Sequence, residues 1–375
     1  MKASVSQQEL AHGLSTVSRA VSPRSTLQVL ANVLIATDEG RIRISATNLE
    51  LGISCWIKAE IEEEGSITIP ARTISDLVST LPADRVEMLL NDRTQTLNVR
   101  CGTNVTDIKG IDAQEYPPMP MPEKSGGVDL NVANLKEMIL QVAFAASSDE
   151  ARPVLQGILT QIEGSTMTMA ATDGFRISVS SSSVSNPNNK TISAIIPARA
   201  MNELARIAAN GDATVSMSIP EGRGQVVFNL KDAELVSQLI EGNFPDYKVI
   251  IPRNYKTHTV ISTPSFQKAC RQAEIIARDG NNIIRMHIQP KMEGPGIVEI
   301  SAQSEETGNS EVQLDANIDG EGLLIAFNVR YLREVLDVVK TPSVALETNA
   351  NNTPATIKPI GENEFTHVIM PMHLG

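Results

Sequence analysis

Ile69-Pro70-Ala71-Arg72 is the stretch that decides the fold, because the chain repeats it. The same four residues return at 196–199, and a diverged copy reads Phe327-Asn328-Val329-Arg330. The copies are 127 and then 131 residues apart, which is the size of a whole domain and not of a solenoid repeat. The sequence of 375 residues therefore predicts three similar domains, at about 1–122, 128–252 and 253–375.

Each repeat carries the same order of helix and strand patterns. Apolar residues at three- and four-residue steps predict a first helix at 6–19, 132–146 and 264–279. The Pro-Ala-Arg element predicts the start of a second helix, at 71–81, 198–209 and 328–340, because proline fits the first turn. Short alternating stretches between the helices, such as 29–35 and 154–162, predict strands. The expected fold class is α+β, with antiparallel sheets and two helices on one face of each domain.

The composition indicates reduced, aliphatic cores. Hydrophobic residues make up 41% of the chain and aromatic residues only 3%. The cysteines, Cys55, Cys101 and Cys270, are odd in number, which argues against a disulfide framework. The first residues show no signal peptide and no apolar run is long enough to span a membrane, so we expect a cytoplasmic protein.

The charge of the chain is unevenly distributed. The net charge is −12, yet the six predicted helices together sum to +3, which leaves −15 for the rest of the chain. Neutral-to-basic helices on an acidic body suit a protein that meets a polyanion on one face, although ordinary solvated helix faces would also explain the count.

The patterns that mark common catalytic and cofactor sites are missing from the sequence. The five histidines lack the spacing of metal ligands, and neither a phosphate-binding loop nor a nucleophile elbow occurs. We therefore expect a binding protein or scaffold, with no catalytic residue, no cofactor and no metal.

Three motifs together resemble the bacterial DNA polymerase III beta sliding clamp family. They are Ala171-Thr172-Asp173-Gly174-Phe175-Arg176, Phe244-Pro245-Asp246-Tyr247, and the tail at 368–374. The resemblance covers the whole chain in register. It implies three clamp-like domains per chain and a head-to-tail homodimer closed into a ring, with helices lining the hole and sheets outside. The implied function is that of a processivity factor without a catalytic site, which encircles double-stranded DNA and tethers the replicative polymerase.

The resemblance also implies a weak, sequence-independent contact between basic side chains and DNA phosphates. Four arginines are carried over by position, and the charge count adds four further residues; each could instead be a solubilising surface charge. The candidates are Arg24, Arg72, Arg152, Arg199, Arg206, Lys268, Arg271 and Arg333.

A second implied site lies between the second and third domains and takes a short linear motif with apolar anchors. The implied partners are the DNA polymerase III alpha subunit, the clamp loader, other polymerases and repair proteins. The tail could instead be only a last strand, but Pro371 would interrupt its pairing. The matching residues are Leu155, Thr172, Gly174, Phe175, Arg176, Ile177, Pro245, Val249, Ile250, Val368, Met370, Pro371 and Met372. We expect Arg176 to supply a polar contact at the rim of this site.

The implied dimer interface places Thr106 and Ile108 of one copy against Ile275 and Ile276 of the other. Two alternatives remain open at this point. One is a scaffold of clamp-like domains that does not encircle DNA, and the other is an enzyme with a site around Asp173 and Arg176.

Overall fold

The computed structural model describes residues 1–118, 127–186, 191–208, 213–361 and 364–373. Each of the six predicted helices is present in it. Residue 209, the last of the predicted fourth helix, and most of the predicted connector after Tyr116 lie outside the described residues. The helices are α1 (Gln7–Val17), α2 (Ala71–Thr80), α3 (Val132–Val142), α4 (Ala198–Ile207), α5 (Thr263–Ala277) and α6 (Val329–Val338).

Strands such as Arg85–Asn91 and Ile283–Gln289 alternate buried side chains with more exposed ones, as expected for sheets with one face on a core, whereas Leu51–Lys58 is buried along most of its length. The strands of the first half of the chain are β1 (Lys2–Ser6), β2 (Asn32–Asp38), β3 (Arg41–Thr47), β4 (Leu51–Lys58), β5 (Glu60–Glu63), β6 (Ser66–Pro70), β7 (Arg85–Asn91), β8 (Thr96–Cys101), β9 (Asn104–Lys109), β10 (Val128–Asn131), β11 (Gly157–Glu163), β12 (Thr166–Thr172) and β13 (Arg176–Ser183). Those of the second half are β14 (Ile192–Pro197), β15 (Thr214–Ser218), β16 (Gln225–Asn229), β17 (Ala233–Gln238), β18 (Thr257–Ser262), β19 (Ile283–Gln289), β20 (Gly296–Ser304), β21 (Gly308–Gly320), β22 (Leu323–Asn328), β23 (Ser343–Thr348), β24 (Ala355–Pro359) and β25 (Phe365–Ile369).

The chain divides into two compact units. The first comprises Met1–Val132 and Glu203–Leu239, and the second comprises Ala133–Asn202 and Ile240–Gly375. The middle repeat is thus shared between the two units.

The first unit holds two antiparallel sheets. One has the order β5-β1-β7-β8-β9 and the other the order β10-β15-β16-β17-β4-β3-β2-β6. In the larger sheet β4 of the first repeat pairs with β17 of the second, with Leu51 opposite Ser237 and Ser54 opposite Glu234. A backbone joint between two repeats is therefore built into this unit.

The second unit contains one sheet with the order β14-β11-β12-β13-β25-β24-β23-β18-β21-β20-β19-β22. Its joint between repeats is the β13–β25 pair, with Arg176 opposite Ile369 and Val179 opposite Thr366. Helices α5 and α6 pack on the core of the third repeat, where Phe266, Phe327 and Phe365 are buried.

Two predicted strands begin later than the sequence pattern indicated. Gln28–Ala31 and Pro153–Gln156 are 3-10 helices, and the strands β2 and β11 start only after them. The 3-10 turn lets consecutive apolar residues face one side, so Val29 and Leu30 are both buried in a cluster with Tyr116. A strand would have turned one of that pair away from the cluster.

The strands β9 and β21 have open edges in the described part of the chain, as do other sheet-terminal strands such as β5 and β14. The strand β9 pairs only with β8, at the end of its sheet. The strand β21 pairs along its length with β20, but its pairing with β18 begins only at Ala316, which leaves the edge of 308–315 open. Open edges are places where another strand can add.

None of the helices in the described residues is both long enough and apolar enough to cross a membrane.

Candidate functional site

A tight turn at Thr172–Arg176 presents one large apolar side chain to solvent. The Thr172 hydroxyl accepts from the Gly174 N–H at 3.1 Å and donates to the Arg176 carbonyl at 2.6 Å. The Asp173 Oδ1 accepts from the N–H groups of Phe175 and Arg176, at 2.8 and 3.1 Å. Gly174 has a φ of +93°, a conformation that suits glycine. The turn holds Phe175 with 55% of its surface exposed.

The chain's last described residues run beside this turn. After β25 ends at Ile369, the Met370 N–H donates to the Phe175 carbonyl at 2.9 Å. Pro371 has no N–H to donate, and the Met372 N–H then donates to the Ala326 carbonyl of β22 at 2.8 Å. Met370, 37% exposed, is thereby fixed next to Phe175.

A buried apolar cluster lies beneath the exposed residues. Ala170, Ile177, Tyr247 and Val368 pack together, with Ile177 opposite Val368 across the β13–β25 pair. The 3-10 turn at Tyr247–Val249 begins in this cluster and presents Val249, which is 74% exposed, and the exposed Ile250.

We call this surface the Phe175 site. Of its predicted members, Thr172, Ile177 and Val368 are buried, Leu155, Pro371 and Met372 are half-buried, and the others except Arg176 are at the surface. The residues predicted for it are Leu155, Thr172, Gly174, Phe175, Ile177, Pro245, Val249, Ile250, Val368, Met370, Pro371 and Met372. The contacts place the turn, the tail and the Tyr247 segment around a common apolar cluster.

Arg176 lies inside the protein and not at the rim of the site. Only 7% of its surface is exposed. Its Nε donates to the Asp173 Oδ2 at 3.1 Å, its Nη1 pairs with the Glu334 carboxylate, and its Nη2 donates to the Phe144 carbonyl at 2.7 Å. The guanidinium carbon also lies 4.3 Å from the ring centroid of Tyr331. All five groups belong to the second unit.

A buried histidine lies next to this network. His367 of β25 is fully buried, and its Nδ1 is 2.7 Å from the Ser178 hydroxyl of β13. Burial, and secondarily the charge of Arg176, lower the pKa of His367 to about 3, so the ring is neutral near pH 7. Its Nε2 has no hydrogen-bond partner among the described residues.

Seven of the eight residues predicted to contact DNA are exposed, and Arg333 is half-buried. Arg72 lies 3.6 Å from Asp76, one helical turn further along α2. Arg152 lies 3.0 Å from Asp149 and donates to the Asp173 carbonyl at 3.2 Å. The exposed residues are Arg24, Arg72, Arg152, Arg199, Arg206, Lys268 and Arg271.

Three of the candidates, Arg206, Arg271 and Arg333, join helices to one another. Arg206 donates to the Ser15 and Thr16 carbonyls at 3.3 and 2.8 Å, and so links α4 to α1. Between α5 and α6, Arg271 and Arg333 form ion pairs of 2.8 Å, Arg271 with Asp337 and Arg333 with Glu274. Their part in DNA contact stays a prediction, whereas their packing role is visible.

The predicted dimer residues differ in accessibility. On β9, Thr106 is half-buried and Ile108 is buried, whereas the neighbouring Val105 is 53% exposed. On α5, Ile275 is exposed and Ile276 packs against the core of the third repeat. Val105 did not stand out in the sequence, because alternation alone does not tell which face of an edge strand meets solvent.

Glu334 and Tyr331 were also missed. Their three-residue spacing places both on one face of α6, which was the available signal. Their contacts with Arg176, however, join residues that are 158 and 155 positions apart.

Within the ranges that the structure describes, no group of three or more His, Cys, Asp or Glu side chains could hold a metal ion.

Three family models match consecutive parts of the chain. They describe the N-terminal, central and C-terminal domains of the DNA polymerase III beta subunit, and they match residues 1–120, 129–246 and 248–373. Curated relatives named beta sliding clamp include that of Synechococcus elongatus, 33% identical with 100% of both chains covered. The clamp of Staphylococcus aureus is 30% identical with 96% of both chains covered.

Solved structures agree with these matches. The DNA polymerase sliding clamp of Bacillus subtilis has a TM-score of 0.93 and 28% identity, with 100% of both chains covered. The Pseudomonas aeruginosa sliding clamp bound to griselimycin has a TM-score of 0.92 and 26% identity, again with 100% of both chains covered. The predicted fold of three clamp domains is confirmed, while the boundaries that we assigned to them stay predictions. The chain therefore belongs, over its whole length, to the DNA polymerase III beta subunit family, the non-catalytic sliding clamps that act as processivity factors in DNA replication.

Proposed function

We propose that two copies of this chain join head to tail into a closed ring around duplex DNA, which tethers the replicative polymerase to its template. The observation that supports this most strongly is the repeated strand joint. Within the chain, β4 pairs with β17 and β13 pairs with β25. The repeat makes β21 the third counterpart of β4 and β13, and β9 the third counterpart of β17 and β25. The edges of β9 and of 308–315 are both open, so they are free to form the third joint with another copy.

The repeat also predicts the register of the joint between two copies. Ser54 faces Glu234 in the first joint and Val179 faces Thr366 in the second. The equivalent third pair is Glu311 of one copy and Val105 of the other. The neighbouring pair is then Ser310 and Thr106, so Thr106 falls within the interface.

We propose that the DNA contact is electrostatic and blind to sequence. The exposed Arg24, Arg72, Arg152, Arg199, Arg206, Lys268 and Arg271 would meet phosphates. The chain as a whole has a net charge of −12, which limits unspecific binding. Few phosphate contacts leave the ring free to slide. The same reasoning predicts that binding to short open-ended duplexes is weak and fades as salt rises.

The Phe175 site, in this proposal, takes the short linear motifs of the polymerase alpha subunit, of the clamp loader and of other polymerases and repair proteins. Its support is the exposed apolar surface of Phe175, Val249, Ile250 and Met370 above a buried cluster. Methionine side chains adapt to different partners, which suits a site shared by several proteins. Since a related clamp binds griselimycin, we propose this compound as a ligand of the Phe175 site as well.

The protein would work in the cytoplasm, without a membrane partner.

A topological experiment tests the proposal. The chain is loaded by the clamp loader onto a nicked circular plasmid, and a restriction enzyme then cuts the circle at one position. A ring should stay on the circle through gel filtration and leave the linear product, and it should be retained when both ends of the linear DNA are blocked by bound protein. Equal retention on circular and open linear DNA would mean that the chain holds DNA by direct affinity. Failure to remain on either form would favour a scaffold that does not encircle DNA.

A further inference from the structure

We propose that Glu334 of α6 is a positioning residue of the Phe175 site, acting through Arg176 on the turn that presents Phe175. The inference rests on the proposed partner-binding function of this site. Glu334 is distant in sequence from every residue that forms the site, and none of the functions above requires it.

The Asp173 carboxylate connects the Arg176 guanidinium to the turn. One oxygen of this carboxylate accepts from the N–H groups of Phe175 and Arg176, and the other accepts from the Arg176 Nε at 3.1 Å. The orientation of the carboxylate, and with it the shape of the turn, therefore depends on where the guanidinium lies.

Besides Asp173, three residues hold the Arg176 guanidinium in place. Its two remaining nitrogens contact the Glu334 carboxylate and the Phe144 carbonyl, and its face lies 4.3 Å from the ring centroid of Tyr331. Because Arg176 is only 7% exposed, water cannot readily replace a lost partner. Of the two charged partners, only Glu334 comes from outside the turn.

Glu334 is partly exposed and can therefore be substituted without unfolding the protein. The Glu334 side chain is 36% exposed, so replacing its carboxylate by an amide leaves no buried unpaired group on α6. Arg176 would keep Asp173 and the Phe144 carbonyl. The turn would then be held less firmly, and a ligand of the site would have to order it on binding.

The experiment measures griselimycin affinity by isothermal titration calorimetry for the wild type, Glu334→Gln, Phe175→Ala and the double variant. Asp337→Asn is the matched control, since Asp337 lies on the same helix and pairs with Arg271 at 2.8 Å. We expect Glu334→Gln to weaken binding about three- to tenfold and Asp337→Asn to leave it unchanged. In the Phe175→Ala background, Glu334→Gln should have no further effect, because its action passes through Phe175.

A second measurement covers the case in which Glu334→Gln lowers overall stability. Hydrogen exchange of the Phe175 and Arg176 amides in the unliganded protein should become faster in Glu334→Gln and not in Asp337→Asn. If the wild type binds griselimycin and Phe175→Ala weakens it, but Glu334→Gln alters neither affinity nor exchange, the inference about Glu334 alone is overturned. If the wild type does not bind at all, the assigned function of the Phe175 site falls with it.

Discussion

Phe175 and Met370 expose apolar surface to water, although burying that surface would stabilise the protein by about 25 cal/mol per Å². Each is fixed by backbone contacts, the turn on one side and the β25 tail on the other. Side chains that are exposed yet held in place lose little freedom when a partner covers them. This is the physical reason to assign them to binding.

Replacing Met370 by alanine should therefore reduce affinity for griselimycin and for motif peptides, by about 1–3 kcal/mol if it acts as an anchor. The matched control is Met292→Ala, because Met292 is fully exposed on the loop between β19 and β20. Fluorescence anisotropy of labelled ligand measures both. An equal effect of the two substitutions, or none, would remove Met370 from the site.

His367 makes stability depend on pH in a defined direction. Its pKa is about 3 in the folded protein and 6.5 in an exposed chain, so between these values only the unfolded state is protonated. Its contribution to stability is complete above pH 6.5 and is lost as the pH falls toward 3. Between pH 7 and 5 the loss is about 2 kcal/mol.

Urea titrations at pH 7 and pH 5 test this expectation. His367→Asn, which keeps an acceptor for Ser178, should lose about that much of the pH-dependent difference, whereas the exposed His287→Asn should retain it. If His367→Asn leaves the difference in unfolding free energy between pH 7 and pH 5 unchanged, another group is responsible for it.

At this scale the sequence identified the Thr172–Arg176 turn and the tail but not the burial of Arg176. A charged residue is buried only where partners compensate it, and these partners, Glu334 and Phe144, are 158 and 32 positions away. Local sequence patterns contain no information about contacts between residues so far apart in the chain.

Among the elements, helices were predictable and strand starts less so. The apolar spacing of α1 and α5 and the Pro-Ala-Arg starts of α2 and α4 rest on local physics, and the helices lie where these signals indicated. The prediction of a strand at 29–35 was wrong for its first residues. Gln28–Ala31 form a 3-10 turn instead, because Val29 and Leu30 pack on the distant Tyr116.

The open edge of β9 permits a charge test of the proposed joint. If Val105 of one copy faces Glu311 of the other, Val105→Glu places like charges opposite each other, and Val105→Lys places opposite charges there. A like-charged cross-strand pair costs up to about 1 kcal/mol, and the proposed ring has two such joints, so Val105→Glu should raise the dimer dissociation constant roughly tenfold. Analytical ultracentrifugation should find Val105→Lys at least as dimeric as the wild type. Equal behaviour of the two variants would refute this register.

For the whole molecule, the threefold repeat was the most informative part of the sequence. It predicted similar domains, and the structure adds that repeats join by strand pairing at β4–β17 and β13–β25. The joints could not be predicted from composition, since Leu51 opposite Ser237 and Arg176 opposite Ile369 share no side-chain chemistry. Their common feature is backbone pairing at equivalent positions.

Imaging the purified protein at micromolar concentration by negative-stain electron microscopy tests the central claim most directly. A third joint between copies predicts closed particles of six similar lobes around an open centre. Particles of uniform compact outline, without a central opening, would contradict the ring.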